Sequence, residues 1–417
     1  MRSRLAQILY NFAKRLESKP KPLAKLSREL IAENYLRGEG IEIGAPHNPL
    51  KVPAAANTDL NSTEAFAKTL DNVLSPEPWR IDRISYDGEV FEIEGWALAP
   101  QGRHELLTFT HNDHEFEERN FPLERADIGN IFWYKAGSDR TAFSCRSSVT
   151  REELFKEGYV TLKCVNRETA LPLREEFNLY YADDGAPELP DAARRRRVAG
   201  NDSADLFRLE GFGIFKKLDL ALRRATSKSL GDFTDILDWG CGCGRVTRNF
   251  HLLPGVRLVG TDIDHDNINW CREHFNFGKF LESPLHPPMD LPKESFDLII
   301  GISVFSHLRE PDQQDWLAEL ARVAKPGAVL LMSTLGESSV CCGKWTTKMW
   351  TEWQQSGVFI TEDNSGLGAY IGDDEFYVTT YITEDFIRRN WSRTFEILDF
   401  IPGYIGNYQD LVVMRKP

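Results

Sequence analysis

Two patterns of apolar and polar residues divide the chain near residue 185. On the N-terminal side, the runs Val90–Leu98, Gly158–Val165 and Glu176–Tyr181 partly alternate apolar with polar positions, which is typical of strands with one buried face. Turn-forming residues separate these runs, and no helical period fills most of the intervals. The pattern predicts a small antiparallel β-sandwich over residues 77–184.

Strands and helices alternate on the C-terminal side. Thr234–Trp239 and Val256–Asp262 are largely apolar runs of strand length, whereas Leu206–Arg224 and Trp316–Val323 have apolar residues at helical spacing. Alternation of this kind is typical of a parallel sheet with helices on both faces. We therefore expect one α/β domain over residues 185–417.

Residues 1–76 begin with a basic stretch. Met1–Leu30 contains eight Lys and Arg residues against two Asp and Glu residues. Its apolar residues have the spacing of one helix face, at Leu5, Ile8, Leu9 and Phe12. The pattern predicts an N-terminal helical and irregular segment. Its basic helix either packs on the body of the protein or makes a weak peripheral contact with an anionic membrane surface.

Composition and charge exclude some classes of protein. The chain of 417 residues has 50 Lys and Arg against 63 Asp and Glu, so its net charge is −13, which argues against a nucleic-acid partner. No apolar stretch is long enough for a transmembrane helix. The seven cysteines are odd in number and scattered, which favours a reducing, cytoplasmic location over a disulfide framework.

A glycine loop follows the strand Thr234–Trp239. The residues Gly240-Cys241-Gly242-Cys243-Gly244-Arg245 lead toward a predicted helix, and Asp262 ends the next strand. Such a loop leaves backbone N–H groups unpaired, and the missing Cβ atoms let a ligand approach the main chain. An acid at the end of the second strand is placed to accept hydrogen bonds from both hydroxyls of a ribose. The arrangement predicts a nucleoside pocket, for a dinucleotide or for S-adenosylmethionine (SAM).

The glycine spacing distinguishes the two ligands. The dinucleotide fingerprint G-x-G-x-x-G has a third glycine where this chain has Arg245. Asp238, just before the loop, would repel a pyrophosphate but can bind an ammonium group through water. A sulfonium ligand with an amino-acid tail fits these residues better, so the sequence favours SAM over NAD.

Residues from about 194 to 417 resemble class I SAM-dependent methyltransferases. The matching motifs, in chain order, are Ile236–Arg245, Gly260–Asp264, Ser295–Leu308, Arg322–Gly327 and Tyr404–Lys416. The resemblance implies a Rossmann-like sheet that is mostly parallel and has an antiparallel last strand. The N-terminal β-region, with its run Glu94–Leu98, more weakly resembles extensions of bacterial surface-glycan enzymes.

The resemblance also implies roles for single residues. Asp238 should bind the methionine ammonium, Asp262 the ribose hydroxyls, and Ile263 should lie against the adenine. The full predicted cofactor-binding set is Asp238, Gly240, Cys241, Gly242, Gly244, Asp262, Ile263, Leu285 and Ile302. Many members have an acid that meets the adenine amine in the region that Glu282–Leu285 fills here, so the side chain that makes this contact stays open.

Methyl transfer to a hydroxyl needs a base, and His307 is the candidate. It follows the fourth strand of the predicted sheet, at the edge where an acceptor should lie. The alternative is a histidine that packs under the next helix. Asp264 and His265, just beyond the ribose acid, are weaker candidates. The insertion Ser338–Thr379, with several tryptophans, predicts either a lid over the acceptor or a packing layer.

No metal site is predicted. His111 and His114 are three residues apart without a third ligand nearby, which indicates a polar turn. The aromatic residues of the β-region either form its core or make a platform for stacking on sugars: Trp96, Phe132, Trp133 and Tyr134.

Together these features predict a SAM-dependent methyltransferase. We expect it to O-methylate a bacterial surface glycan or its lipid- or nucleotide-linked precursor, as part of polysaccharide biosynthesis. The alternatives are a small-metabolite methyltransferase and a non-catalytic module that binds SAM or a glycan. The remaining alternative for the glycine loop Gly240–Arg245 is an NAD-dependent dehydrogenase.

Overall fold

The computed structural model describes residues 79–131, 137–173, 178–181, 187–340, 347–361, 376–406 and 408–417. The predicted helical segment 1–76 therefore lies outside the described residues, as do Phe132, Trp133 and Tyr134. In the described part of the chain, no helix is both long and apolar enough to cross a membrane.

The described elements follow the predicted order. Short strands come first, and strands and helices alternate after them. The strands are β1 (Trp79–Tyr86), β2 (Val90–Ala97), β3 (Leu107–His111), β4 (His114–Glu115), β5 (Glu118–Leu123), β6 (Ala142–Ser148), β7 (Tyr159–Asn166), β8 (Leu171–Pro172), β9 (Asn178–Tyr181), β10 (Asp235–Trp239), β11 (Arg257–Asp262), β12 (Gly278–Glu282), β13 (Phe296–Gly301), β14 (Ala324–Leu335), β15 (Val358–Thr361), β16 (Thr379–Ile382), β17 (Glu396–Ile405) and β18 (Gln409–Arg415). The α-helices are α1 (Ala126–Ile131), α2 (Arg151–Leu154), α3 (Ala192–Ala199), α4 (Ala204–Thr226), α5 (His265–His274), α6 (Glu310–Val323), α7 (Glu337–Val340), α8 (Thr347–Ser356) and α9 (Glu384–Asn390).

The β-region contains two antiparallel sheets, with the strand orders β1-β2-β6-β5 and β4-β3-β7-β8. Rings from the two sheets meet: the centroids of Phe109 on β3 and Phe143 on β6 are 4.1 Å apart, and Trp79 on β1 lies 6.4 Å from each. Trp96 is only 7% exposed and packs with Leu98 and Ile128. Its place in the interior favours the core reading of this tryptophan over the sugar platform.

The C-terminal part of the chain has the mixed, mostly parallel sheet that the sequence predicts. Its order is β12-β11-β10-β13-β14-β18-β17, with parallel pairing from β12 to β14. The last strand, β18, pairs antiparallel with both β14 and β17. A hairpin of β15 and β16 extends the same sheet, because Tyr381 on β16 pairs with Leu335 at the end of β14.

Both faces of this sheet are buried, which is why its strands have continuous apolar runs. On one face Leu237, Ile299 and Leu330 pack with Trp316 and Leu317 of α6. The other face carries the alternate strand residues against α4, including Ile236, Leu298, Leu331, Phe212 and Leu218. The helices predicted at Leu206–Arg224 and Trp316–Val323 are thus confirmed, with wider bounds than the apolar spacing indicates.

One boundary differs from the prediction. The residues Lys325-Pro326-Gly327 indicate a stop between helix and strand, yet β14 begins at Ala324 directly after α6. Ala324 pairs with Phe296, and the register then shifts before Val329 pairs with Leu298. The proline and glycine lie in this irregular stretch, which accommodates them without ending the strand.

The turn between β3 and β4 is polar, as the sequence predicts. Asn112 and Asp113 have φ of 49° and 66° there, and the two flanking histidines pair across it. Nε2 of His111 lies 3.1 Å from Oγ of Ser147 on β6. Among the described residues, no group of three or more His, Cys, Asp or Glu is placed to hold a metal ion.

His111 should make the stability of the protein sensitive to acid. Burial lowers its pKa below the ordinary 6.5, and His114 lowers the pKa further, while Glu117 raises it. The unfolded chain therefore binds this proton more readily, so the free energy of unfolding should decrease as the pH falls below about 6.5. We expect His111→Gln to remove this part of the pH dependence in urea unfolding of the full chain.

The exposed neighbour provides the comparison, since His114→Gln removes only the smaller cause of the lowered pKa and should keep most of the acid sensitivity. If His111→Gln has the same pH dependence as the wild type, groups other than His111 cause the loss of stability.

Candidate active site

A cavity opens at the carboxyl edge of the sheet, where the loops after β10, β11, β12 and β13 come together. Its lining includes nine residues that the sequence predicts for the site: Asp238, Gly240, Cys241, Gly242, Asp262, Ile263, Leu285, Ile302 and His307. Ligands of parallel α/β sheets bind at this edge because the loops there carry the variable side chains. Gly244 is the predicted site residue that does not line the cavity.

Asp238 is the next-to-last residue of β10 and is only 3% exposed. The hydroxyl of Thr247 donates a hydrogen bond of 2.6 Å to its Oδ2. Burial raises the pKa of Asp238 to about 6, the Thr247 hydrogen bond opposes this shift, and the nearby Asp262 adds to it. The second carboxylate oxygen retains its capacity to accept a hydrogen bond from a ligand.

Asp262 ends β11 and connects two loops through its carboxylate. Oδ2 accepts from the backbone N–H of Gly242 at 2.7 Å, and Oδ1 accepts from the N–H of Asp264 at 2.8 Å. Burial raises the pKa of Asp262 to about 6, although both backbone hydrogen bonds lower it. Each carboxylate oxygen can accept about two hydrogen bonds, so one site on each oxygen remains for a pair of neighbouring hydroxyls.

The glycine loop corrects one prediction. The N–H groups of Gly240 and Cys241 both donate to the carbonyl of Thr261, at 2.7 and 2.9 Å. Gly242 donates to Asp262, and Gly244 donates to the carbonyl of Cys241 at 3.0 Å. The protein itself therefore satisfies these N–H groups, which the sequence predicts to be unpaired. They do not form the cradle of donors that a pyrophosphate needs.

Two glycines of the loop have positive φ and lie where a side chain would not fit. A Cβ on Gly240 would come within 2.3 Å of Cγ2 of Val304. A Cβ on Gly244 would come within 2.3 Å of the ring of Phe275, so Gly244 serves packing under the loop. The segment that follows is a 3₁₀-helix, Thr247–Leu252, where the sequence predicts an α-helix.

Arg197 is a cavity residue that the sequence does not single out. It is the last of the four arginines on α3, and its guanidinium forms an ion pair of 2.8 Å with Asp264. It also donates to Oδ1 of Asn267 at 3.1 Å. The arginine run indicates a capping or anion-binding segment, but only the tertiary structure shows which of the four reaches the cavity.

The residues after β12 lie in the region where the sequence leaves the adenine contact open. Ser283 and Leu285 line the cavity, and the N–H of Ser283 donates to the carbonyl of Asp262 at 2.8 Å. The carboxylate of Glu282 instead lies 2.8 Å from Nδ1 of His265. Neither Glu282 nor His265 lines the cavity, so His265 is not placed to act as the base.

His307 lies on the 3₁₀-helix Phe305–His307 after β13 and lines the cavity. Its Nδ1 is 3.0 Å from the carbonyl oxygen of Val378. A carbonyl can only accept a hydrogen bond, so Nδ1 carries the proton and Nε2 is the basic nitrogen of the neutral ring. The ring also lies 4.8 Å from that of Tyr377.

Three further cavity residues are not among those that the sequence predicts for the site. Phe376 and Tyr377 belong to the described end of the insertion, next to Val378. Ser303 has a φ of 64°, and its N–H donates to Oγ of Ser333 at 2.7 Å. In the sequence, only the predicted lid indicates that Phe376 and Tyr377 could reach the cavity. Nothing in the sequence indicates the conformation of Ser303.

The chain was compared with known proteins. Residues 236–327 match a family described as a methyltransferase domain. The chain is 25% identical over 117 residues to a mitochondrial ubiquinone biosynthesis O-methyltransferase from Dictyostelium discoideum, which covers 25% of this chain and 36% of that protein. It is 30% identical over 127 residues to a probable S-adenosylmethionine-dependent methyltransferase from Mycolicibacterium smegmatis, which covers 29% and 44%.

A solved structure is also similar. The chain is 15% identical to the N-methyltransferase NodS from Bradyrhizobium japonicum in complex with S-adenosyl-L-homocysteine. That match covers 54% of this chain and 100% of NodS, with a TM-score of 0.35.

The strand order and the family match define the class of the protein. Residues 236–327 form the core of a class I SAM-dependent methyltransferase domain, as the sequence predicts, and its cofactor is SAM. Within that class, these residues match the methyltransferase-domain family. The chain spans less than half the length of the curated relatives it matches.

Asp262→Ala should weaken the binding of SAM. The variant removes an acceptor for the ribose hydroxyls and the contact that holds the glycine loop. We expect a loss of about 1.5–3 kcal/mol, the range for hydrogen bonds to a charged group, in calorimetric titration with SAM.

Asp266→Asn is a suitable control, because Asp266 is exposed at the start of α5 and does not line the cavity. Its affinity for SAM should equal that of the wild type. Unchanged affinity in Asp262→Ala would contradict the assignment of Asp262 to the ribose.

Proposed function

We propose that this chain is a cytoplasmic SAM-dependent methyltransferase that O-methylates a bacterial surface glycan or its lipid- or nucleotide-linked precursor. The observation that carries the methyltransferase proposal is the meeting of a buried carboxylate, Asp238, and a partly buried one, Asp262, in one cavity. The carboxylate oxygens still have sites that can accept hydrogen bonds from a ligand. These sites suit the ammonium group and the ribose hydroxyls of SAM.

The charge of the cavity supports the same ligand. Its described lining has three carboxylates, on Asp238, Asp262 and Asp264, and two guanidinium groups, on Arg197 and Arg245, so the formal sum with neutral histidine is −1. SAM carries a sulfonium, an ammonium and a carboxylate, which sum to +1. A dinucleotide brings two negative phosphates, and buried carboxylates without compensation would repel them.

The chemistry follows from the position of His307. The acceptor hydroxyl gives its proton to Nε2 of His307, and its oxygen attacks the methyl carbon of the sulfonium. The carbon–sulfur bond breaks, the electron pair passes to sulfur, and S-adenosylhomocysteine is released. Holding the two reactants aligned contributes several kcal/mol, on the order of 7 or more in favourable cases, and the base adds to this.

The preference for a glycan acceptor is supported by the N-terminal β-region. Its run Glu94–Leu98 resembles segments of bacterial surface-glycan enzymes, and a sugar presents hydroxyls of the kind that His307 would deprotonate. From the residue patterns along the chain we propose an N-terminal segment over residues 1–76, a β-sandwich domain over residues 77–184 and a methyltransferase domain over residues 185–417.

A small-metabolite acceptor is the second candidate. Leu308, Phe376 and Tyr377 give the cavity an apolar and aromatic wall near His307, which suits a planar or apolar alcohol. The curated relative from Dictyostelium discoideum is named for ubiquinone biosynthesis, and another, from Yersinia pestis, is a malonyl-[acyl-carrier protein] O-methyltransferase.

Transfer of a labelled methyl group separates the candidates. The full chain is incubated with methyl-labelled SAM and, in parallel, with a bacterial surface-glycan extract and a low-molecular-weight metabolite extract. Label in carbohydrate is expected under the first proposal, and label in a small product would favour the second. Binding of SAM without transfer to either extract would contradict both and indicate a non-catalytic module.

His307→Ala should reduce turnover and leave the affinity for SAM nearly unchanged. General base catalysis typically accelerates a reaction about 10²–10⁴-fold, so loss of the base should lower turnover by up to this factor. The proposed cofactor contacts are made by other residues, so the affinity for SAM should not change. His265→Ala is the matched control and should retain full activity, because His265 lies outside the cavity. A fully active His307→Ala variant would exclude His307 as the base.

A further inference from the structure

Tyr377 lines the same cavity as His307 and Asp262. Its ring is 4.8 Å from the ring of His307, at a tilt of 51°. Burial is the main cause that raises the pKa of its hydroxyl, Asp262 and Asp264 of the same lining add to the rise, and Arg197 lowers the pKa. The reacting methyl group must lie between the ribose and the base. Tyr377 therefore lines the stretch of cavity where the sulfonium belongs.

We propose that Tyr377 recognises the sulfonium of SAM through the face of its aromatic ring, and thereby favours SAM over its neutral product S-adenosylhomocysteine. This inference rests on the proposed function, because it takes SAM as the ligand of the cavity. An aromatic face attracts a cation through the negative potential of its π-electrons, and the attraction increases when water is excluded.

The other charged groups of the described lining already have partners. Asp238 is placed for the ammonium, and Asp262 is placed for the ribose. Asp264 forms its ion pair with Arg197. No carboxylate of the described lining is therefore assigned to the sulfonium, and an electron-rich ring is the group that fits its charge.

The other aromatic rings of the lining are engaged elsewhere. Trp239 and Trp316 are 3% and 2% exposed and pack on each other in the core, with centroids 5.0 Å apart. Phe376 makes an edge contact with His286, at 5.6 Å. Tyr377 is the aromatic residue of the described lining whose ring contacts that of His307.

The state of the phenol is consistent with this role. Burial is the main cause that raises the pKa of Tyr377 above its ordinary 10, so the hydroxyl stays neutral at physiological pH. The ring therefore acts through its face and not as a phenolate counter-ion. A phenylalanine in its place keeps this capacity, whereas an aliphatic residue of similar volume does not.

The test compares two ligands that differ by one charge. Calorimetric titration of the full-length wild type, Tyr377→Phe and Tyr377→Leu gives the Kd for SAM and for S-adenosylhomocysteine. We expect Tyr377→Leu to bind SAM about tenfold more weakly, within the range of a desolvated cation–π contact, and to bind S-adenosylhomocysteine within about twofold of the wild type. Tyr377→Phe should keep the wild-type ratio of the two Kd values.

Tyr404→Leu is the matched control for this substitution. The hydroxyl of Tyr404 donates to the carbonyl of Lys217 at 3.0 Å, and the residue does not line the cavity. Its ratio of Kd values should equal that of the wild type, and S-adenosylhomocysteine binding reports that each variant is folded.

Three results would overturn the inference. If Tyr377→Leu weakens both ligands equally, the ring is only a wall of the cavity. If Tyr377→Phe loses as much SAM affinity as Tyr377→Leu, the hydroxyl and not the ring makes the contact. If the wild type itself binds neither ligand, the proposed function fails, and this inference fails with it.

Discussion

The carboxylate of Asp262 holds the site together. It ends β11 and accepts the backbone N–H of Gly242 from one loop and of Asp264 from the next, at 2.7 and 2.8 Å. Removing a carboxylate from water is costly unless hydrogen bonds compensate it, and the donors to this partly buried one are main-chain groups of the loops that shape the cavity. The residue that we propose for the ribose therefore also fixes the conformation of the glycine loop. The glycine N–H groups are used within the protein, so the loop offers close approach to a ligand without an anion cradle.

A second contact positions the acceptor side. The carbonyl of Val378, beyond the inserted segment, accepts the proton of Nδ1 of His307 at 3.0 Å and so makes Nε2 the basic nitrogen. Tyr377, one residue earlier, contacts the same imidazole ring. The end of the insertion thus both orients the imidazole of His307 and lines the cavity beside it. The base and the cofactor contact that we propose therefore depend on one short segment for their positions.

Much of the site is accessible from the sequence because it depends on local order along the chain. Asp238 and Asp262 lie at the carboxyl ends of two strands, and the glycines follow the first of them. Parallel strands bring their carboxyl ends to one edge, so the meeting of these residues follows from strand order alone. Gly244 shows where this reasoning ends, since a glycine in the motif can serve packing against Phe275 as well as a ligand. Arg197 and Tyr377 come from a preceding helix and a late insertion, and no spacing rule brings such distant segments to a cavity.

The sequence by itself determines the class of sheet, the cofactor and the strand-end residues of the site. These depend on the two-residue and 3.6-residue periods and on a loop motif, which are properties of neighbouring residues. Only the tertiary structure decides the use of the glycine N–H groups, the tautomer of His307 and the aromatic wall. Each of these depends on a hydrogen bond or contact between residues far apart in the chain, whose geometry is set by packing and not by local preference.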